Sequence, residues 1–157
     1  MMDGLIRGES VSPADFTLSV HHALAGLLSI AQNNRRGHVA VAAGGETFFC
    51  GLMEAAACLA ADAGDPVVLV YYDEPLCDPF DEFDEPDAET LALALTLEAH
   101  EAGAGVRLSA TPAPAGAVTA SRPGEAFLRF LLTGVAETTL VGERQAWRLV
   151  KTDAPAS

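Results

Sequence analysis

The chain is poor in basic residues and lacks long apolar runs, and each shortage excludes a class of protein. Its 157 residues contain nine Lys and Arg against 22 Asp and Glu, a formal net charge of −13 at pH 7. Nucleic acids and anionic membrane surfaces attract proteins mainly through Lys and Arg, so both are excluded as partners. No run approaches the roughly 20 consecutive apolar residues of a membrane helix. Because 50% of the residues are nonetheless hydrophobic, the sequence predicts a folded protein rather than a disordered acidic chain.

Cysteine is scarce as well. Cys50, Cys58 and Cys77 are odd in number and have no C-x-x-C spacing, so neither a disulfide framework nor a zinc site is expected. The first residues also lack the basic and then apolar pattern of a secretory signal. We therefore expect a cytoplasmic protein with reduced thiols, no bound metal and no cofactor.

Much of the negative charge is concentrated in one segment, residues 73–89, which contains nine acids and no base. Pro79, Pro86 and the absence of a central glycine do not fit a calcium-binding EF-hand loop, so a solvated loop is expected there. The length suits one domain. We expect that domain to span residues 19–151, after a lead-in at 1–18 and before a disordered tail at 152–157.

Two Ala-rich helices are predicted in the first half of the chain. The first covers residues 19–36, with Ser19 as its N-cap, and the second covers residues 46–63, after a sharp turn at Gly44–Gly45. Both helices are too apolar to lie on a surface, and their small residues would let a sheet approach closely. The sequence therefore predicts buried helices against a mixed sheet, in an α/β fold.

The strands are predicted from β-branched runs and from strict alternation. Residues 66–72 are β-branched and aromatic, and the leucines of residues 90–99 recur at every second position. The other predicted elements are strands at 38–43 and 106–110, a helix beginning at Pro123, and a hairpin over 138–151 that turns at Gly142–Glu143.

Two functional hypotheses follow from the residues alone. Cys50 lies near the start of a helix, where a thiol can act as a nucleophile, and with His22 it would give a small acyltransferase or thioesterase. Cys50 is also well inside that helix, which favours a core thiol. His21 and His22 are neighbours on a helix and face different directions, so they do not suit one metal. The alternative is an acidic binding module that recruits a basic partner through residues 73–89.

One long segment resembles a known family of enzymes. The run from Ser19 to Pro75 reads SVHHALAGLLSIAQNNRRGHVAVAAGGETFFCGLMEAAACLAADAGDPVVLVYYDEP and resembles the amino-terminal half of a β-ketoacyl synthase. In that family a helix leads into a strand, the catalytic cysteine follows at the head of a long buried helix, and another strand ends the unit. Here Gly45 and Glu46 stand where the nucleophilic cysteine would be, so attack on an acyl thioester is not expected.

The resemblance is strongest to the short chain-length-factor-like proteins of aryl polyene gene clusters. It extends over residues 10–150 and rests on the order of motifs such as SPADFTLSVH, VYYDEP and GEAFLRFLL. It implies a partial thiolase-like fold and a non-catalytic subunit that forms a heterodimer with an active β-ketoacyl synthase. An acyl carrier protein would meet such a subunit only through the complex. The family's two further catalytic residues belong to a carboxy-terminal half that the resemblance does not reach.

The resemblance also implies particular site residues. Val39, Ala40 and Val41 would form a strand at the heterodimer contact. Phe48, Phe49 and Met53 would face that interface or the far end of the partner's acyl tunnel, where a bulky side chain limits the length of the bound chain. The alternative for Phe48 and Phe49 is that they are ordinary core residues.

Overall fold

The computed structural model describes residues 6–8, 10, 12–20, 22–84, 89–99 and 105–152. The chain forms two compact units, Met1–Ala42 and Ala43–Ser157. This division differs from the predicted one, which began a single domain at residue 19. His21, the acids Glu85 and Asp87, and residues 153–157 of the predicted tail lie outside the described residues.

The described part of the first unit contains two short helices with assigned bounds. Helix α1 (Pro13–Leu18) begins after Ser12, whose side chain accepts a hydrogen bond from the Ala14 backbone N–H at 3.2 Å. Helix α2 (Ala23–Ala31) follows. The prediction that Ser19 caps the helix at residues 19–36 is wrong, because Ser19 ends α1, its hydroxyl donates to the Phe16 carbonyl, and His22 is the N-cap of α2.

Burial of this unit was also predicted wrongly. Helix α2 has no buried residue among those described, and Ile30 is 80% exposed. The expected strand at residues 38–43 does not form either, and Val39 is 60% exposed. The physical reason is the same for both: two short helices provide no sheet to cover α2, and no described strand of this unit can supply hydrogen-bond partners to residues 38–42.

In the second unit the predicted elements are confirmed closely. Helix α3 (Thr47–Ala61) leads to strand β1 (Val67–Asp73), which pairs in antiparallel register with β2 (Leu91–Leu97). Both strands alternate half-buried and exposed residues, as strands with one covered face do. The covered face lies against α3, where Leu69 is so close that a Cβ on Gly51 would approach it to 3.3 Å.

The remaining strands form a second antiparallel sheet. Its order is β3 (Gly105–Pro112), β5 (Gln145–Thr152) and β4 (Glu137–Val141), with β5 in the centre. The β4–β5 hairpin and its turn at Gly142 are as predicted. Helix α4 (Pro123–Leu132) begins at Pro123 and precedes this hairpin. The α/β class is therefore confirmed, with two antiparallel sheets in the described part of the chain.

Aromatic side chains dominate the core of the second unit. Phe48 and Phe49 of α3 meet Phe127 of α4 and Trp147 of β5. The chain contains a single Trp, and its ring stacks on Phe49 with centroids 4.9 Å apart. The other buried members of the cluster are Leu52, Phe130 and Leu149.

The described part of the acidic segment is exposed, as predicted, apart from the half-buried Asp84. Its first residue, Asp73, is exposed but ends β1 rather than lying in a loop. A short 3₁₀ helix (Asp81–Phe83) forms within the segment. Both carboxylate oxygens of Asp84 accept the Leu76 backbone N–H, at 2.9 and 3.0 Å, so the segment folds back on itself.

Among the described residues, no helix is long and apolar enough to cross a bilayer, and no three of His, Cys, Asp and Glu are grouped as metal ligands.

Candidate functional site at the start of helix α3

The start of α3 is held by Thr47 rather than by its N-cap residue. The Thr47 hydroxyl accepts the Ala43 backbone N–H at 2.9 Å and donates to the Gly44 carbonyl at 2.7 Å. Gly44 has φ +60°, a left-handed conformation that glycine adopts without strain. Glu46 is the N-cap residue, but its side chain makes no capping hydrogen bond. The carboxylate of Glu46 is therefore directed elsewhere.

That carboxylate is buried and bound to the β4–β5 turn. Glu46 is 1% exposed, and its Oε1 accepts the backbone N–H groups of Arg144 and Gln145, each at 2.8 Å. The guanidinium Nε of Arg144 lies 3.6 Å from Oε2. A buried carboxylate is costly unless it is hydrogen-bonded and paired, and Glu46 meets both conditions.

Two glycines make room for this arrangement. A Cβ on Gly142 would lie 2.8 Å from Glu46 Oε1, closer than such atoms pack, and 3.1 Å from the Gln145 carbonyl oxygen, which is a tight contact. A Cβ on Gly45 would meet the Glu143 side chain at 3.3 Å. The turn itself is closed by the Gly142 N–H, which donates to the Gln145 carbonyl at 2.7 Å. Segment 44–46 and the turn are thus packed directly together.

An ion pair also joins the two strands of the β4–β5 hairpin, away from the turn. Arg148 donates to both carboxylate oxygens of Glu137, at 2.6 and 2.8 Å. These hydrogen bonds, more than the attraction of opposite charges, hold the pKa of Glu137 below its ordinary value and raise that of Arg148.

Gly45 and Glu46, which the resemblance predicts to be the nucleophile-equivalent position, therefore include a carboxylate that is hydrogen-bonded to the protein's own backbone. Cys50 lies one helical turn further along α3 and is half-buried, whereas Cys58 and Cys77 are exposed. The His22 ring stacks on His38 in the first unit, with centroids 4.4 Å apart. Cys50 and His22 thus belong to different units.

The three tunnel candidates occupy different environments. Phe48 is 1% exposed and packs edge-on against Phe49 and Tyr71, and Phe49 stacks on Trp147. Both are core residues of this chain, which was the alternative interpretation. Met53, on the same helix, is 49% exposed and presents its side chain to the surface.

Of the predicted interface residues, Val39 and Ala40 are exposed and Val41 is partly buried. None has a strand partner among the residues described in its own unit. A segment that forms a strand only with another subunit would have no strand partner within its own chain. The assignment of these residues to an interface therefore stays a prediction.

Sequence reasoning missed the partners of Glu46. Arg144 and Gln145 lie 98 and 99 positions further along the chain, and no local pattern links them to the start of α3. Sequence reasoning also missed the buried Trp147, whose Nε1 has no hydrogen-bond partner within the described part of the chain.

Comparison with known proteins identifies the family. Residues 1–149 match the family model for the N-terminal domain of beta-ketoacyl synthases. No curated protein matches. A chain in the solved complex of the ketosynthase ApeO with its chain length factor ApeC, from Xenorhabdus doucetiae, is similar with a TM-score of 0.78 and 26% identity. The match covers 95% of this chain and 61% of that one. The chain thus belongs to the β-ketoacyl synthase family and has part of its thiolase-like fold.

Proposed function

We propose that this chain is a non-catalytic chain-length-factor subunit. It forms a heterodimer with an active β-ketoacyl synthase in the cytoplasm and shapes the acyl tunnel during elongation of a polyene, polyketide or fatty-acid-type chain. The observation that carries the proposal is the buried, backbone-bound Glu46, at the position that we propose to be nucleophile-equivalent. An acyl carrier protein meets the subunit only through the complex.

Condensation chemistry needs a thiolate that can attack an acyl thioester. The carboxylate of Glu46 is a much weaker nucleophile, and one of its oxygens already accepts two N–H groups. Cys50 would need α3 to move by about one turn before it could take that position. These facts support a subunit that does not form an acyl-enzyme.

A partner subunit also accounts for the exposed apolar residues of the first unit. Leu24, Ile30 and Val39 are large, apolar and exposed, and exposed apolar patches mark interaction surfaces. The complex of ApeO and ApeC supports a ketosynthase as the partner. We propose that Val39, Ala40 and Val41 form the contact strand and that Met53, rather than Phe48 or Phe49, is the candidate to limit the tunnel.

The association is tested by co-expression with the ketosynthases of the source organism, followed by affinity purification and mass spectrometry. We expect one ketosynthase to co-purify stoichiometrically and its recovery to fall at least tenfold when Val39 and Val41 are replaced by Glu. Val118→Glu is the matched control, because Val118 is 90% exposed in the second unit. Failure of every ketosynthase to co-purify, or equal loss with the control, would contradict the proposal.

Product length tests the tunnel assignment in the purified complex. We expect Met53→Ala to lengthen the products and Met53→Trp to shorten them, because the side chain sets the space left for further methylenes. Glu54→Gln, at the neighbouring exposed position, should leave the length distribution unchanged. If both Met53 variants gave the same product lengths as the wild type, Met53 would not line the tunnel. The proposed association with a ketosynthase would not be affected by that result.

A further inference from the structure

The β4–β5 turn has the features of a binding site for a carboxylate. The N–H groups of Arg144 and Gln145 point at one oxygen, both at 2.8 Å, and the Arg144 guanidinium lies 3.6 Å from the other. Converging backbone N–H groups form concave sites that favour anions. The site is enclosed, because the carboxylate that fills it is 1% exposed.

Two observations indicate that the turn is specific for its occupant. Glu46 is the N-cap of α3, yet its side chain makes no capping hydrogen bond there and turns instead to a segment 98 residues away. The absence of a side chain at Gly142 leaves room for the carboxylate, since a Cβ there would lie 2.8 Å from Glu46 Oε1. The pocket is thus shaped around the head group of a carboxylate.

We propose that residues 142–145 form a carboxylate-binding nest and that Glu46 is its built-in ligand. Glu46 fixes the turn against the start of α3 by occupying this nest. One consequence of the nest rests on the proposed function. If Gly45–Glu46 is the nucleophile-equivalent position, the Glu46 carboxylate fills the space that the carbonyl of a bound acyl group would need. The nest itself does not depend on the identity of any partner.

Chemical rescue of Glu46→Ala in the full-length chain tests the proposal, with formate as the probe. Removal of the carboxylate leaves two partly buried N–H groups without their acceptor, and we expect the Tm to fall by about 6–12 °C. Formate can refill the nest, so sodium formate at about 100 mM should raise the Tm of this variant by about 3–5 °C over sodium chloride at equal ionic strength.

The matched control is Glu54→Ala, which removes an exposed carboxylate from the same helix. Formate should not raise the Tm of this control or of the wild-type chain beyond the chloride value. A wild-type Tm for Glu46→Ala would overturn the proposal. So would a folded Glu46→Ala variant that does not respond to formate, or an equal rise in the control.

Amide hydrogen exchange on the wild-type chain keeps the proposal testable if Glu46→Ala does not fold. The amides of Arg144 and Gln145 should then be protected as strongly as those in the centre of β5, although both lie at the turn. Rapid exchange at these two amides would overturn the nest. Because none of these measurements includes a ketosynthase, a failed nest and a failed heterodimer are distinguishable.

Discussion

Replacing Phe48 by alanine separates the two interpretations of this side chain most directly. Phe48 is 1% exposed, and its ring contacts the rings of Phe49, Tyr71 and Phe127 at centroid distances of 5.2–5.3 Å. It therefore links α3 to β1 and to α4. If Phe48 belongs to the core of this chain, its removal must destabilise the chain without any partner.

The expected loss is large relative to the stability of a domain. Truncation of a buried Phe to Ala costs about 3–5 kcal/mol, because transfer free energy is lost and a cavity remains. Loss of the edge-on ring contacts is included in that figure. With a urea m-value of about 2 kcal/mol/M, the unfolding midpoint should fall by about 1.5–2.5 M.

The assay is urea unfolding followed by the fluorescence of Trp147, which reports on the core because it stacks on Phe49. Met53→Ala is the control on the same helix, and its midpoint should stay within about 0.25 M of the wild type, as expected for an exposed side chain. Phe48→Leu gives a smaller loss if the alanine variant is too unstable to measure. An unfolding midpoint unchanged by Phe48→Ala would refute the assignment of Phe48 to the core. Phe48 would then again be a candidate to line the acyl tunnel.

Three further predictions concern the hairpin. Gly142→Ala should destabilise the chain by about 1–3 kcal/mol through the overlap with Glu46 Oε1, and urea unfolding should show a smaller loss when Glu46→Ala is already present. Trp147→Phe should change the free energy of unfolding by less than about 1 kcal/mol, because the lost ring contacts are offset by removal of a buried N–H that has no hydrogen-bond partner in the described structure. Unfolding followed by circular dichroism measures this change. Glu137 has its pKa lowered from 4.5 by Arg148, so its contribution is present above about pH 4.5 and is lost as the pH falls through the lower folded-state pKa. The Tm difference between wild type and Glu137→Gln should therefore shrink from about pH 6 to about pH 3, and a constant difference would contradict the linkage.

The elements of the second unit were predictable because their signals are local. The alternating leucines of β2 and the β-branched run of β1 mark strands with one covered face. Pro123 marks the start of α4, and Gly142 marks the hairpin turn. In each case the residues that determine the element lie within it, so no knowledge of distant contacts was needed.

The first unit was predicted less well because its residues depend on neighbours that no local pattern identifies. Leu24 and Ile30 are apolar enough to predict burial, yet both are exposed. The alternation at Val39 and Val41 likewise predicted a strand, but a strand also needs a neighbouring strand to accept its hydrogen bonds. An apolar pattern alone predicts that a residue is buried, but it does not identify the residues that bury it.

The role of Glu46 shows what the resemblance to an enzyme family could and could not supply. The resemblance predicts that Gly45 or Glu46 stands where the family has its nucleophilic cysteine, which concerns only the absence of a thiol. The hydrogen bonds to Arg144 and Gln145 add a gained structural role. A cysteine at position 46 would remove the acceptor of two partly buried N–H groups, at a cost of about 1–3 kcal/mol for each group left unpaired. A cysteine there would leave the turn less firmly fixed to the start of α3. In the proposed non-catalytic subunit, Glu46 would therefore account both for the missing thiol and for the fixed hairpin.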